Sequence, residues 1–533
     1  MQPPHTFNPI CARLSRLAAF SWLVAPALAG ALPTDAARAA APKVLHYFSA
    51  NHAGLYLNGE TPLDEVIEAP DGSFFTTTQD GGPTNTCVQE FYLQGCGTVV
   101  QITGSTVKAI FSFQPPAPGA TSGALPAGGL VQGPDGALYG TTFIGPTEAT
   151  GPFGDGSIFK LTPSGGGWTL QTLHVFTGGN DCAPPVDGAH PNARLAFGPD
   201  GFLYGTTSSG GCYVAGSAGD YNNTGTIFRI ATDGSNYADL YNMEGYSNVT
   251  DPALPQAGLT PGPGGLLYGT SQFGGAADDG TVFAFNPATN TLSLLHSFSG
   301  VSPDGGEPFG ALTLGSDGLL WGTTFTSTNG DDPTRYGTVF NISLTAPFTL
   351  TSYPFSTAEG ELGYGYPSSA VIEGSDKNYY GTTSEGNLYS ISETGVLSEL
   401  GTFALLGTNM SAAPMQAANG HIYGSVGYSG PSKHGYPDRG GIWDYKGGLK
   451  KPKPQVNWFL PADGPVGTSV VIAGANFVGA NAVVFQGTTT TSSFSVGASG
   501  FITATVPAGA VSGPVKITSP AGTVTSTLAF AVP

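Results

Sequence analysis

The residues in this chain best suited to chemistry are carboxylates set in glycine-rich stretches. "GGAADDGT" carries Asp278 and Asp279, and "NGDDPTRYGT" carries Asp331 and Asp332. Asp155 and Asp220 occupy matching places in other copies of a repeat set out below. Brought to one face, these six would offer the hard oxygen ligands that suit Ca²⁺. None has the alternating aspartate spacing of a calcium loop, so solvated turns are the simpler expectation. For a stacked ligand such as a sugar, the candidates are aromatics in irregular stretches, Tyr213, Tyr221, Tyr428 and Tyr436, with His190 beside a recurring proline. Catalytic signatures are missing: there is no His-Glu-x-x-His, no Gly-x-Ser-x-Gly and no phosphate loop with its lysine. No catalytic residue or cofactor is therefore assigned.

Positioning any of these groups requires a scaffold, and the composition restricts what it is. Of 533 residues, 81 are glycine and 43 proline, while only 10% are charged. Hydrophobic residues still reach 40%, with 31 Phe and 22 Tyr, enough for a packed core built from short strands and tight turns. A formal charge of −19 disfavours nucleic acid as a partner. Four of the 17 basic residues, Lys446, Lys450, Lys451 and Lys453, crowd one stretch that reads as a solvated linker.

One word recurs seven times: "DGSFFTTT" (71–78), "DGALYGTT" (135–142), "DGFLYGTT" (200–207), "GGLLYGTS" (264–271), "DGLLWGTT" (317–324), "DKNYYGTT" (376–383) and "NGHIYGSV" (419–426). Such periodicity signals a repeat architecture. Pro62, Pro126, Pro191, Pro255, Pro308 and Pro367 precede it at a fixed interval, whereas Pro414 sits closer to its own copy. Asp-Gly supplies a reversal, and the alternation beyond it predicts a strand with an aromatic at one depth. A second word like "GTVF" and a third like "LLHSFSG" predict two further strands. The seventh copy lacks the third word, which stands instead at the start, as "VLHYFS" (44–49). Seven four-stranded units, the last completed by the N-terminal strand, predict an all-β, seven-bladed β-propeller over 42–447. His46, His174 and His296 hold equivalent places in the third word and read as packing.

The ends of the chain read differently. Residues 1–41 carry Arg13 and Arg16 before an alanine-rich apolar run and resemble a secretory signal, with no later run long enough to cross a membrane. The expected location is extracellular or at the cell surface, with the periplasm a further option. Beyond the signal four cysteines remain, which favours disulfides in an exported chain and permits three pairings. Cys87 and Cys96 fall in the loop between the second and third strands of the first copy, Cys212 falls in that loop of the third copy and Cys182 in the crossing into it, so Cys87–Cys96 and Cys182–Cys212 is the preferred pairing.

The repeated words resemble the GloVer-type tandem repeat of secreted bacterial proteins, over about residues 44–447. That resemblance implies no activity and no catalytic motif. After a linker at 448–454, residues 455–533 alternate valine and threonine between regular turns, as in a β-sandwich. "GPVGT" (464–468), "IAGANF" (472–477), "VVFQG" (483–487) and "SGPVKI" (512–517) resemble the IPT/TIG immunoglobulin-like domain, which implies a spacer or adhesion module. The whole reads as a secreted, non-catalytic binding protein whose variable propeller loops engage a glycan or a surface protein. The alternative is a carbohydrate-active enzyme, a glycosidase or lyase, with paired carboxylates at the propeller mouth.

Overall fold

The computed structural model describes residues 41–48, 56–83, 95–116, 120–146, 154–178, 187–211, 224–245, 251–326, 336–355, 365–402, 412–427, 440–489, 491–498 and 500–533. Apart from a 3₁₀ turn at Pro263–Gly265, its regular elements are strands. Among the described residues seven antiparallel sheets share one plan. The third is representative, with Ala196–Phe197, Leu203–Thr207, Thr226–Ile230 and Ala238–Asn242 paired in chain order. In the seventh sheet Met415–Gln416, Ile422–Val426 and Gly441–Tyr445 are completed by Lys43–Tyr47, in the register Val44↔Trp443 and Tyr47↔Gly441. The N-terminal third word thus pairs where the repeat leaves a place for it.

The sequence words now acquire physical reasons. In the second copy Gly136 turns at φ +76° and Asp135 caps the turn, Oδ1 accepting the Ala137 N–H and Oδ2 the Tyr139 hydroxyl. The glycine after the aromatic lies under the aromatic of the next strand. A Cβ on Gly140 would meet Phe159 at 2.6 Å, and one on Gly322 would meet Phe340 at 2.4 Å. The threonine pair does more than favour extended backbone. Its second member shares a hydrogen bond with the hydroxyl of the adjacent strand, as in Thr142···Ser157 at 2.7 Å and Thr324···Thr338 at 2.8 Å.

The first strand of the sheet starts not at the proline but beyond it, at Ile67, Ala196, Thr260, Thr313 and Ile372. The proline segment is engaged with the preceding sheet instead. The residue before each regular proline takes a left-handed conformation (Thr61, Leu125, His190, Leu254, Glu307 and Tyr366, φ 49 to 57°). Its N–H reaches back to the residue ahead of the GTVF-type glycine, as in His190 to the Asp155 carbonyl and Glu307 to that of Asp279, both 2.8 Å. The proline ring then covers the glycine, where a Cβ would meet the Pro191 Cδ at 2.5 Å over Gly156 and the Pro62 Cδ at 2.4 Å over Gly440. The first threonine of the word bonds across the same junction, Thr206 to the Ala257 carbonyl at 3.1 Å and Thr323 to that of Ser369 at 2.8 Å.

Between sheets the space is filled by aromatics: Tyr139 meets Phe197 edge-on at 5.8 Å, and Trp321 stacks on Tyr379 at 4.1 Å. The seventh sheet packs on the first through Phe48, Val66, Val100 and Ile442. Residues 455–533 form two further antiparallel sheets, with strand orders Gln455–Leu460, Ser469–Ala475, Phe501–Thr505, Phe494–Ala498 and Ala482–Phe485, Gly513–Ser519, Gly522–Phe530. They share a core of Val470, Ile472, Phe485, Ile517 and Phe530. Phe501 and Ala473 also join the core between the second and third repeat sheets.

Candidate functional site

Few of the residues singled out from sequence lie where they can be described. Tyr213, Tyr221, Tyr428, Tyr436, Asp220, Asp331, Asp332, Cys87, Cys182, Cys212 and all of the 1–41 leader but its last residue fall outside the described residues. Cys96 is disulfide-bonded. His190 is the left-handed residue before Pro191, with Nδ1 2.7 Å from the Ser209 hydroxyl and its ring tilted against Phe143 at 4.5 Å. Burial holds its pKa below the usual imidazole value, so it stays neutral. Asp155 and Asp279 precede the docking glycines of two different sheets, and Asp278 accepts the Gly274 N–H at 2.9 Å. Asp155 and Asp279 thus bond through their carbonyls to the crossings into the next copies, and the Asp278 bond stays within its own turn. Among the described residues no group of three His, Cys, Asp or Glu side chains is placed to hold a metal ion.

The histidines of the third word are packing groups with a partner. His174 lies 3.1 Å from Asp187 and stacks on Tyr237, while His296 lies 2.7 Å from Asp304. Each pair ties an outer strand to the crossing that follows it.

Two places break the repeat. The first is on the proline segments, where most copies carry Gly, Ala or Ser two and three residues after the proline. The first copy carries Asp64 and Glu65, and the third carries Arg194. The Glu65 carboxylate and the Arg194 guanidinium meet at 2.6 Å on either side of Gly129 in the second copy. Asp64 is buried, and desolvation pushes its carboxyl up to about 7 despite the hydrogen bond it accepts from Thr77. Thr77 is therefore turned inward to its own copy, the exception to the junction bonds described above.

The second is a cleft of about 570 Å³ where the seventh and first sheets, the segment 446–452 and the C-terminal sheets meet. Phe74 from the first sheet and Tyr423 from the seventh form one wall, their rings 4.6 Å apart and tilted by 40°. His421 stands beside Tyr423, its Nδ1 3.5 Å from Asp444 Oδ2. Glu68 accepts the Ala418 N–H at 2.8 Å, and burial holds its carboxyl above the usual range. Lys446 and Lys451 complete the lining. Gly72 and Asn419 of the Asp-Gly-type turns also line the cleft. In an antiparallel sheet those turns lie at the opposite end from the long loops between the second and third strands.

Sequence reasoning missed this cleft for two reasons. Glu68, Phe74, His421 and Asp444 belong to regular strands and turns, so nothing local marks them. Residues 446–454, read as a solvated linker, keep their four lysines exposed but have carbonyls tied from outside the segment: that of Lys450 accepts the Ser375 hydroxyl at 2.7 Å and Gln416 Nε2 at 3.1 Å, and Asn476 Nδ2 reaches that of Lys453 at 3.2 Å. Only the lysine cluster was a usable signal.

Residues 212–388 match the Gloeobacter/Verrucomicrobia repeat, so the repeat words found in the sequence are those of a known repeat over less than half the chain. No curated protein matches the chain. Among solved structures it is similar to a fungal alcohol oxidase of the AA5 family in complex with copper (11% identity, 89% of this chain and 97% of that one, TM-score 0.48). It is also similar to hydrazine synthase of Kuenenia stuttgartiensis (12%, 69% and 93%, TM-score 0.44). A third is the extracellular domain of a putative hybrid two-component system of B. thetaiotaomicron (10%, 86% and 50%, TM-score 0.44). At these scores the likeness carries neither fold nor activity to this protein. No helix among the described residues is long and apolar enough to cross a membrane.

Proposed function

We propose that this is a secreted carbohydrate-binding protein: a signal over 1–41, a seven-bladed β-propeller over 42–447, a linker over 448–454 and an immunoglobulin-like IPT/TIG module over 455–533. The propeller reading is supported by seven sheets of one plan and by Pro62 docking on Gly440 as Pro191 docks on Gly156. The two C-terminal sheets around one core support the module. Export is supported by the apolar leader and the even cysteine count beyond it.

The observation that carries the binding reading is the cleft at the junction of the seventh and first sheets. Aromatic faces beside hydrogen-bonding groups fixed by the backbone suit a pyranose ring, whose apolar face stacks while its hydroxyls find donors and acceptors. The variable loops at the other end are a second surface for the same task. A glycan array with the full mature chain tests this. Binding is expected, and His421→Ala with Asn419→Ala should abolish it; binding unchanged in that variant rules out the cleft, and no glycan bound rules out the reading.

One observation favours the enzymatic alternative enough to test it. Glu68, its carboxyl raised by burial, shares the cleft with Asp444, the kind of pair a glycosidase uses as acid and base. Release of reducing ends, lost in Glu68→Gln, would establish it.

A further inference from the structure

Resting on the carbohydrate reading of the cleft, we infer that its ligand is an anionic sugar, a hexuronate whose carboxylate is held by Lys446 and Lys451. The argument starts from charge. The chain has 36 acidic residues against 17 basic ones, yet four of those basic residues fall within 446–453 and two of them line the cleft. The lining also holds Glu68 and Asp444, so the lysines bring the cleft close to neutral within an otherwise acidic chain, and an anion meets less repulsion there than over the rest of the surface.

The second step is hydrogen-bonding capacity. Both acids in the cleft already have donors: Asp444 faces His421, and Glu68 takes the Ala418 N–H. Lys446 and Lys451 are exposed and form no ion pair among the described residues. What the cleft lacks is therefore an acceptor for two ammonium groups, and a sugar carboxylate is one. Glu68 and Asp444 keep further lone pairs, which suit the hydroxyls of the same ring.

The third step is preorganisation. Lys451 lies between two carbonyls fixed from outside the segment, that of Lys450 by Ser375 and Gln416 and that of Lys453 by Asn476. Less backbone freedom remains to be lost on binding than in a free linker. Phe74 and Tyr423 belong to sheet strands and line the same cleft, so the lysines and the rings are held by different parts of the chain.

The test uses the full mature chain, an oligogalacturonate, its methyl ester and a neutral galactan oligomer of equal length, read by calorimetry. The ester preserves the ring and removes the charge. The free acid should bind at least about tenfold more tightly than the ester, a difference of about 1.4 kcal/mol. Its affinity should fall with added salt. Lys446→Gln/Lys451→Gln should lose that preference while keeping the melting temperature, and Lys516→Gln, on a strand of the C-terminal sheets, should change nothing. Equal binding of acid and ester, or a preference that survives the double substitution, overturns the anionic inference and leaves carbohydrate binding standing. Failure of all three oligomers to bind overturns the anionic inference, and the carbohydrate reading falls with it only if the glycan array is also blank.

Discussion

The junction between the seventh and first repeat sheets, which brings the two ends of the repeat array together, and the junction between the sixth and seventh sheets make an instructive pair. The closing junction joins residues far apart in sequence, with Ser425 bonded to the Asp64 carbonyl 361 positions away at 2.9 Å. It nevertheless has the regular geometry: Pro62 covers Gly440, the Phe48 N–H meets the Gly440 carbonyl at 3.0 Å, and Phe48 is fully buried. The sixth–seventh junction joins sequence neighbours and is the irregular one. Gly386, which should receive a proline, is tied into the hairpin turn itself, its N–H bonded to the Thr383 carbonyl at 3.0 Å. Ser375 and Gln416 bond there instead, the Ser375 N–H reaching Gln416 Oε1 at 2.9 Å. The spacing from proline to word sets a junction, and chain continuity does not.

The largest expected effect tests whether closure is as strong as it is regular. Phe48→Ala and Phe176→Ala remove equivalent buried rings from the closing junction and from an internal one. Each should cost about 3–5 kcal/mol, as large aromatic truncations in cores do, measured by denaturant unfolding. A Phe48→Ala cost well below that of Phe176→Ala would show a soft closing junction and break the comparison.

This contrast also shows what sequence could disclose. The seven words, the displaced third word and the odd position of Pro414 were legible because turn chemistry and strand alternation are local. What the words do was not. The left-handed residue before each proline and the docking of that proline on a glycine are contacts between copies, and a glycine or threonine looks the same whether it turns, packs or bonds across a junction. The cleft was hidden for the same reason, its lining being drawn from both ends of the chain. Asp64, Glu65 and Arg194 stand out only once the small residues at equivalent places are seen together.

Asp64 makes the closing junction sensitive to pH. Its carboxyl rises from 3.8 to about 7 in the folded protein through burial, so the folded state holds the proton more tightly than the unfolded one. The sign follows: the contribution is fully present below about pH 4 and is lost as pH rises through about 7. At about 1.4 kcal/mol per pKa unit it amounts to at most about 4 kcal/mol. Glu68, also raised by burial, acts in the same direction. Asp64→Asn should flatten the decline in melting temperature between weakly acidic and weakly alkaline buffer. An equal slope in both proteins would remove Asp64 from the account.

A smaller effect compares the two docking glycines. Gly440 and Gly386 both have positive φ, 92° and 87°, so alanine is strained at either. At Gly440 a proline ring lies 2.4 Å from the place a Cβ would take, whereas Gly386 sits in a hairpin turn closed by its own N–H. Gly440→Ala should therefore cost more than Gly386→Ala, and both should destabilise by more than the roughly 1 kcal/mol by which the same change stabilises a compatible site. Equal costs would mean that Pro62 gives way freely and that the docking contributes little.

The smallest effect concerns the turn of the sixth copy, where Lys377 stands in the place that glycine takes in the other copies. Lys377 is left-handed at φ 74°, a conformation that costs a side chain about 1–2 kcal/mol. Its ammonium bonds Glu373 at 2.9 Å, but the side chain is 55% exposed, and such pairs contribute about 0–1 kcal/mol. Lys377→Gly thus removes more strain than attraction and should stabilise by up to about 1 kcal/mol. The reciprocal Gly136→Lys, at φ 76° in the regular second copy, introduces the same strain without the Glu373 partner and should destabilise by about as much. Paired melting curves decide it. If Lys377→Gly destabilises, the ion pair with Glu373 outweighs the backbone, and the sixth copy is held by side-chain contacts that its neighbours do without.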